Sequence, residues 1–141
     1  MKIQWAASES VRNDCFLIRK HVFIEEQQVP QDVEMDEHDV NALHAVCYID
    51  NAPVGAVRLR EKSPGVGKVE RLCVLKSTRG TGAGRELMNA VTQMASLNGW
   101  HAIHLNAQAH AEDFYLKLGY QTVSEPFLEA NIPHVKMERS L

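Results

Sequence analysis

The segment STRGTGAGRELM, from Ser77 to Met88, places three glycines at alternate positions directly after an arginine. Glycine loses more conformational freedom on folding than any other residue, so Gly80, Gly82 and Gly84 lower the local stability unless the loop needs a bare backbone. A strand-like apolar run precedes the loop and a run with helical spacing follows it. Backbone N–H groups and the positive end of that helix can then converge on an anion such as pyrophosphate. Judged by glycine spacing alone, a tight turn that binds no ligand is an equally good interpretation.

Two common phosphate-binding motifs do not fit this loop. A P-loop requires a lysine and a hydroxyl residue after its last glycine, whereas Gly84 is followed by Arg85 and Glu86. A dinucleotide fingerprint would require its third glycine at Arg85 or at Leu87, depending on where the motif starts. The sequence therefore disfavours hydrolysis of ATP or GTP and binding of NAD, and leaves a different ligand that contains pyrophosphate.

Several segments outside the loop resemble a known family. Val74, Arg79 and the three glycines, followed by FYLKLGY at Phe114 to Tyr120, resemble the GNAT superfamily of acetyl-CoA-dependent N-acyltransferases. VFIEEQQVP, VERLCVLKSTRGTGAG, LNAQ and IPHVKM resemble, more narrowly, its small bacterial ElaA-like branch. The resemblance covers essentially the whole chain. It implies a single N-acetyltransferase domain over residues 1–141 that passes an acetyl group from acetyl-CoA directly to a primary amine in a ternary complex.

The resemblance also implies where coenzyme A binds. Its pantetheine arm is expected between two parallel strands that separate, Lys68–Leu75 and His101–Ala107. The backbone of Leu72 and Val74 would pair with the pantetheine amides, and an N–H near Val74 would polarise the thioester carbonyl. Gln108 stands where many members have an asparagine. The residues implied in binding coenzyme A are Leu72, Cys73, Val74, Arg79, Gly80, Thr81, Gly82, Ala83, Gly84, Arg85, Asn106, Gln108 and Tyr115.

Transfer from a thioester to an amine needs an acid that protonates the departing thiolate. Tyr115 occupies the tyrosine position of the family's helix before the LGY turn, so the resemblance implies that its hydroxyl supplies this proton. By residue type alone, a core aromatic whose hydroxyl finds a structural partner is the commoner outcome. Phe114 beside it is expected to pack.

The reaction also needs a base, because an amine with a pKa near 10 is almost fully protonated at pH 7. Glu70 is the first candidate, since strand alternation could turn its carboxylate into the gap between the separating strands. An equally weighted alternative is a solvated glutamate, or one paired with Arg71 or Lys68. Water is a further candidate for accepting the proton.

Three more residues are expected near the acceptor. Glu25 and Glu26 lie beside the end of the first predicted helix, which often borders the acceptor pocket in the family, and they are further candidates for the base. His134 in IPHVKM can titrate near neutral pH, and the resemblance puts it at the mouth of the active site as a catalytic or acceptor-binding residue. Without the resemblance, a structural histidine that only hydrogen-bonds is the commoner case.

The elements that must position these residues alternate between strands and helices. Lys2–Trp5 is expected to form a strand, and Ser8 or Ser10 to start an amphipathic helix that ends near Gln27. Further strands are predicted at 43–49, 54–59, 68–75, 101–107 and 135–138, and helices at 87–95 and 111–118. The order predicts a single α+β domain of the mixed α/β type, with a central twisted mixed sheet and helices on both faces. The resemblance adds that the fourth and fifth strands splay apart.

Composition excludes several other classes of protein. The chain of 141 residues has a net charge of -3 and no basic run, which disfavours a nucleic-acid partner. It contains no signal-like or membrane-spanning segment, so we expect no membrane association and a cytoplasmic location. Cys15, Cys47 and Cys73 are odd in number and widely spaced, which indicates free thiols rather than disulfides or a zinc site.

Metal ligands and partners complete the expectations. His21 and Glu25 have helical i, i+4 spacing but no visible third ligand, so no metal cofactor is expected beside acetyl-CoA and coenzyme A. The acidic stretch Gln31–Asp39 is predicted to be a solvated loop, with attraction of a cationic acceptor as a weaker hypothesis. The acceptor is a small-molecule amine or a protein amine, and edge strands leave a homodimer open. The rival function is a non-catalytic acyl-CoA-binding or regulatory module.

Overall fold

One eight-stranded sheet runs through the protein, and the computed structural model describes all residues from Met1 to Leu141. The strands are β1 (Lys2–Trp5), β2 (Leu43–Ile49), β3 (Ala52–Ser63), β4 (Val66–Val74), β5 (Ala102–Gln108), β6 (Gln121–Thr122), β7 (Phe127–Glu129) and β8 (Ile132–Ser140). Their order in the sheet is β1-β2-β3-β4-β5-β8-β6, and β7 pairs with β8. Only β4 and β5 are parallel to each other, and all other pairs are antiparallel. The predicted mixed sheet is confirmed.

Helices cover both faces of this sheet. They are α1 (Glu9–Arg19), which continues as a π-helical segment over Lys20–Glu26, α2 (Gln31–Glu34), α3 (Ala83–Leu97) and α4 (Glu112–Lys117). Ser8 caps α1, because its hydroxyl accepts the N–H of Val11 at 3.4 Å. Two clusters of buried apolar residues form the core. One contains residues of α1 and Val46 on β2, and the other contains residues of α3 and Cys47, the next residue of β2. Adjacent strand residues point to opposite faces, so each helix buries its own set of apolar side chains.

The two parallel strands separate after a short paired section. β4 and β5 are paired only from Val66 opposite Ala102 to Val69 opposite Leu105. β4 then continues to Val74 and β5 continues to Gln108 without pairing with each other. This confirms the predicted splayed strands. The separation opens a wedge in the middle of the sheet, and along the wedge the facing edges of β4 and β5 have no strand to pair with.

A buried network of arginines and carboxylates ties α1 and the acidic stretch to β3. Arg19 and Arg58 are both 0% exposed. Arg19 donates to Glu34 at 2.6 Å and to Asp39 at 2.7 Å. Arg58 donates to the same Asp39 at 2.9 Å and to Asp36 at 2.7 Å. Since buried charges are tolerated only when they are paired and hydrogen-bonded, each of these groups requires the others in place.

The expectation of a solvated acidic loop was wrong. Glu34 is only 2% exposed and Asp39 only 5%, and the stretch forms α2 and a single 3₁₀ turn at Glu37–Asp39 instead of irregular structure. The stretch lacks apolar periodicity because its buried side chains are carboxylates. Their arginine partners come from α1 and β3, which are distant in the sequence and give no local signal.

We expect this network to make the protein sensitive to acid. Burial alone would raise the pKa of Asp39, but hydrogen bonds from Arg19 and Arg58 outweigh it and hold the pKa below its ordinary value of 3.8. The pKa of Asp36 is lowered in the same way by Arg58. A depressed folded-state pKa contributes stability above the unfolded value of about 3.9, and this contribution is lost as the pH falls below it. The free energy of unfolding should therefore be level above about pH 5 and fall below it.

Urea unfolding of the native protein and of Asp39→Asn between pH 7 and pH 3 measures this effect. The substitution should cost about 3 kcal/mol at pH 7 and flatten the acid limb, because it leaves buried guanidinium charge without its carboxylate. Asp32→Asn is the matched control, since Asp32 is exposed in the same stretch and should change stability by less than about 0.5 kcal/mol. Acid limbs of equal slope in Asp39→Asn and the native protein would show that the network does not cause the acid sensitivity.

Candidate active site

A cleft of about 1370 Å³ opens where β4 and β5 separate. Its walls come from the end of the α1 extension, the acidic stretch, β4, the glycine loop, β5, α4 and the β7–β8 hairpin. Every residue that was expected to bind coenzyme A lines this cleft, and so do Glu26, Glu70 and His134. Glu25 alone among the predicted site residues lies outside its lining.

The glycine loop forms one end of the cleft with unpaired backbone N–H groups. Gly80 and Gly82 have φ angles of 86° and 93°, which side-chain-bearing residues rarely adopt, and α3 begins at the next residue, Ala83. None of the N–H groups from Gly80 to Arg85 donates to a protein acceptor. The first N–H of the helix to do so is that of Glu86, which donates to the Gly82 carbonyl at 3.0 Å. These donors can bind an anion together with the positive end of the helix.

Gly84 serves a different purpose from the other two glycines. A Cβ atom at this position would lie 3.3 Å from the ring of Phe114 on α4. The missing side chain therefore lets α3 approach α4 closely at the floor of the cleft. Phe114 packs there as expected, with its ring edge-to-face against Tyr115 at a centroid distance of 5.0 Å.

Arg79 does not direct its guanidinium at the loop. Its two terminal nitrogens each donate to the carboxylate of Glu26 at 2.7 Å, and its Nε donates to the Val74 carbonyl at 3.0 Å. The hydrogen bonds from Arg79 lower the pKa of Glu26 below its ordinary value. Glu25 turns outward, where it bonds to His21 at 2.9 Å. The position of Glu25 therefore does not support its predicted role as a base or in acceptor binding.

Tyr115 lies in the wall of the cleft next to the glycine loop. It is 8% exposed, and burial raises the pKa of its hydroxyl well above the ordinary value of 10. The hydroxyl makes no hydrogen bond with the protein, so it can donate to a bound ligand. Tyr120 lies against it with a ring-centroid distance of 5.9 Å, and the hydroxyl of Tyr120 is buried without any partner.

β4 contains a bulge at the edge of the wedge. Arg58 pairs with Glu70 and Ala56 pairs with Cys73, so β4 has one residue more than β3 between these pairs. Arg71 lies in the bulge with a φ of 61°. Its side chain donates to the Glu34 carbonyl at 3.0 Å and thereby holds the acidic stretch against β4. Regular alternation, which we assumed from the sequence, therefore ends at Glu70, and arginine at a positive φ gives no sequence signal for such a bulge.

Glu70 faces the cleft, but two arginines hold its carboxylate. Arg58 donates to it at 2.9 Å and Arg60 at 2.8 Å. Burial would raise the pKa of Glu70, but the two guanidinium groups outweigh it and keep the pKa below 4.5. The expected alternative of an ion-paired glutamate is correct in kind, whereas the named partners, Arg71 and Lys68, were wrong.

The opposite wall of the cleft is polar. His134 is 5% exposed, and its Nδ1 lies 2.6 Å from the Ile132 carbonyl oxygen, which leaves Nε2 on the side of the Glu129 carboxylate at 3.6 Å. Asn106 donates to the same Glu129 at 3.1 Å. Gln108 exchanges amide hydrogen bonds of 3.2 and 2.9 Å with Gln27 at the end of the α1 extension. Gln108 thus joins the two sides of the cleft, a contact that the sequence did not reveal.

The sequence analysis did not single out several polar residues of the cleft. Arg60 and Lys68 face each other across β3 and β4, and Glu129 lies in the β7–β8 hairpin. The alternate positions of Arg58 and Arg60, on either side of the apolar Leu59, were the available signal, because period-two polarity marks one face of a strand. Nothing in the local sequence indicates that Glu129 reaches the cleft.

The structure contains no group of three or more histidine, cysteine, aspartate or glutamate side chains that could hold a metal ion. None of its helices combines the length and apolar composition needed to cross a lipid bilayer.

Comparison with known proteins adds relatives along the whole chain. N-acetyltransferase YjcF of Bacillus subtilis is 45% identical over 138 residues, which cover 97% of this chain and 98% of the relative. A solved structure from Lactobacillus plantarum is 32% identical with a TM-score of 0.93, and the match covers 99% of this chain and 97% of that one. The crystal structure of Escherichia coli ElaA is 25% identical with a TM-score of 0.83, covering 98% and 99% of the two chains.

A more distant structure shares the fold and carries a ligand. It is an aminoglycoside 6′-N-acetyltransferase complexed with coenzyme A, 15% identical with a TM-score of 0.77, and the match covers 99% of this chain and 97% of that chain. The family model described as an acetyltransferase (GNAT) domain matches residues 7–141. The chain therefore belongs to the GNAT acetyltransferase family, and its relatives include ElaA, the protein for which the predicted branch is named.

Proposed function

We propose that this protein is an N-acetyltransferase that moves an acetyl group from acetyl-CoA directly to the primary amine of an acceptor. The observation that carries the proposal is the run of unpaired backbone N–H groups from Gly80 to Arg85 at one end of the cleft. Membership of the acetyltransferase family supports the reaction class. The structural neighbour complexed with coenzyme A supports the identity of the cosubstrate.

The pyrophosphate of coenzyme A would bind at the glycine loop. Its oxygens accept hydrogen bonds from the N–H groups of residues 80–85, and the dipole of α3 favours their negative charge. The pantetheine arm then runs into the wedge beyond Val69 and Leu105, where β4 and β5 no longer pair. The backbone of Leu72 and the N–H of Val74, whose carbonyl already accepts from Arg79, are suited to the pantetheine amides, because exposed strand edges seek such partners.

Tyr115 would act as the acid. The amine nitrogen attacks the thioester carbonyl carbon, an N–H near Val74 stabilises the oxyanion, and collapse of the tetrahedral intermediate breaks the C–S bond. The Tyr115 hydroxyl then donates its proton to the departing thiolate. Its raised pKa keeps it protonated throughout the working range, and the same burial that disfavours a phenolate also raises the proton affinity of the thiolate.

Glu70 would attract the ammonium group of the acceptor and accept its proton only transiently. With a pKa below 4.5, its carboxylate stays ionised at neutral pH and attracts an ammonium group. Full proton transfer from an amine of pKa near 10 to such a weak base is unfavourable by several orders of magnitude, so Glu70 holds the proton only transiently and passes it on to bulk solvent. Nε2 of His134, on the opposite wall, is the second candidate acceptor, because an Nδ1–H donated to Ile132 leaves Nε2 unprotonated in the neutral ring.

Direct transfer is favoured over an acyl-cysteine intermediate. Cys73 is the cysteine nearest the wedge, and it is 5% exposed within the cluster that packs against α1. Burial raises the pKa of its thiol far above the ordinary value of 9.0. Since the thiolate is the nucleophilic form of cysteine, Cys73 is a poor acyl carrier.

Binding at the glycine loop is tested by two alanine variants with the same backbone strain. Gly80 and Gly99 both have a positive φ, and a Cβ at either position meets nothing within 4 Å. Gly80→Ala and Gly99→Ala should each lose about 1–2 kcal/mol of stability. Isothermal calorimetry should show weaker acetyl-CoA binding only for Gly80→Ala, because Gly99 lies in the turn after α3. ATP and NAD serve as ligand controls, and equal acetyl-CoA affinity in both variants would remove the loop from the cofactor site.

Catalysis, as opposed to binding alone, is tested at the paired tyrosines. Tyr115→Phe should lower kcat by about 10²-fold with little change in acetyl-CoA affinity, because only the proton donor is lost. Tyr120→Phe is the matched control and should leave kcat unchanged, since it removes a buried hydroxyl that has no partner. Acetyl transfer to a panel of amines is the assay. A protein that binds acetyl-CoA but acetylates no amine would favour the rival, a non-catalytic acyl-CoA-binding module.

The role of Glu70 is tested by the pH dependence of kcat/KM between pH 6 and pH 10. Glu70→Gln should lower the value about tenfold at pH 7 and less at pH 9.5, where free amine no longer needs help to form. Glu25→Gln, outside the cleft, should leave the profile unchanged. Thermal unfolding must accompany both, because Arg58 and Arg60 lose a charged partner. A Glu70→Gln profile parallel to that of the native enzyme would assign proton removal to His134 or to water alone.

A further inference from the structure

Two lysines line the cleft without a carboxylate partner, Lys117 on α4 and Lys68 on β4, and Lys68 is the one that lies near the candidate base Glu70. Lys68 lines the cleft beside Glu70 and Glu129, yet no carboxylate oxygen lies within the 4.0 Å of an ion pair from its ammonium group. The arginines on this side of the cleft, Arg60 and Arg71, each lie within that distance of a carboxylate. Lys68 is therefore the cation on this side whose charge the protein leaves available.

Lys68 is also partly withdrawn from water. It is half-buried, and this burial lowers the pKa of its ammonium group, an effect that the more distant Glu70 and Glu129 oppose and that Lys62 and Arg60 reinforce. Surface lysines usually extend their charge into solvent. A partly desolvated ammonium without a partner costs free energy, and a ligand that brings a negative charge would recover it.

The position of Lys68 places it within reach of the reacting groups. It pairs with His104 in the last paired section of β4 and β5, next to the point where these strands separate. Glu70 follows two residues later on the same face of β4, about 7 Å further along the strand. One small molecule can therefore place an amine near Glu70 and a negative group against Lys68.

We propose that Lys68 binds an anionic group, a carboxylate or a phosphate, on the amine acceptor. This inference rests on the proposed acetyltransferase function and narrows its substrate class to small amines that carry a negative charge, such as ω-amino acids or aminoalkyl phosphates. Simple alkyl amines leave Lys68 without a partner, and polyamines place a second positive charge against it. Glu129 and Glu70 do not occupy the Lys68 ammonium group, because Glu129 accepts from Asn106 and Glu70 accepts from Arg58 and Arg60.

Matched pairs of acceptors test this proposal in steady-state kinetics. The pairs are γ-aminobutyrate with propylamine and O-phosphoethanolamine with ethanolamine, which differ in the anionic group. The native enzyme should have a KM at least tenfold lower for the anionic member of one pair, and that pair identifies the anion as carboxylate or phosphate. Lys68→Met should raise this KM about tenfold, change kcat less than twofold and leave the neutral amines unaffected. Lys62→Met is the control, since exposed Lys62 on β3 lies outside the cleft lining.

Several outcomes would overturn the proposal. Equal KM values for anionic and neutral amines in the native enzyme would show that Lys68 does not select the acceptor. An equal loss of kcat for both kinds of amine in Lys68→Met would assign Lys68 to the chemical step instead. Calorimetry distinguishes a failure of the anion site from a failure of the acetyltransferase function. It measures binding of γ-aminobutyrate and O-phosphoethanolamine to the coenzyme A-loaded protein, native and Lys68→Met. Binding that Lys68→Met weakens, without any transfer, supports the anion site and rejects the enzyme, whereas equal or absent binding in both proteins rejects the anion site.

Discussion

The pairing of two fully buried arginines with shared carboxylates is the constraint on which the cleft depends. Arg19 on α1 and Arg58 on β3 both bind Asp39, so a helix, a strand and the intervening acidic stretch are fixed to one another. Removal of any member leaves an unpaired buried charge, and this is why such networks are sensitive to single substitutions. The acidic stretch forms one wall of the cleft, so the shape of the acceptor side depends on these ion pairs.

The same network also sets the electrostatics of the proposed catalytic residues. Arg58 extends from Asp39 and Asp36 to Glu70, and Arg60 binds Glu70 from the same strand. Glu70 is therefore held ionised and immobile at the wedge. The buried network and the Glu70 carboxylate share Arg58, so a change in Arg58 must alter both. A fixed negative charge at the wedge favours an approaching ammonium group without any titration of the protein near neutral pH.

The glycine-loop side of the cleft could be predicted from the sequence because the backbone forms it. Positive φ angles at Gly80 and Gly82 require glycine, and close approach of α4 at Gly84 requires the absence of a side chain. Backbone constraints of this kind leave a dense local pattern in the sequence. Tyr115 could be predicted only through the resemblance, since its residue type alone favoured a structural role.

The acceptor side could not be predicted in the same way because side chains from distant segments form it. Glu34, Glu70 and Glu129 come from three separate elements, and each is positioned by partners that lie elsewhere in the chain. The bulge at Arg71 and the pairing of Arg79 with Glu26 depend equally on tertiary contacts. A ligand that is bound mainly by backbone groups leaves a local glycine pattern, whereas a ligand that is recognised by side-chain charges leaves none, because distant segments bring those charges together. Glycine motifs therefore identify the donor, and only the spatial arrangement of charged side chains carries information about the acceptor.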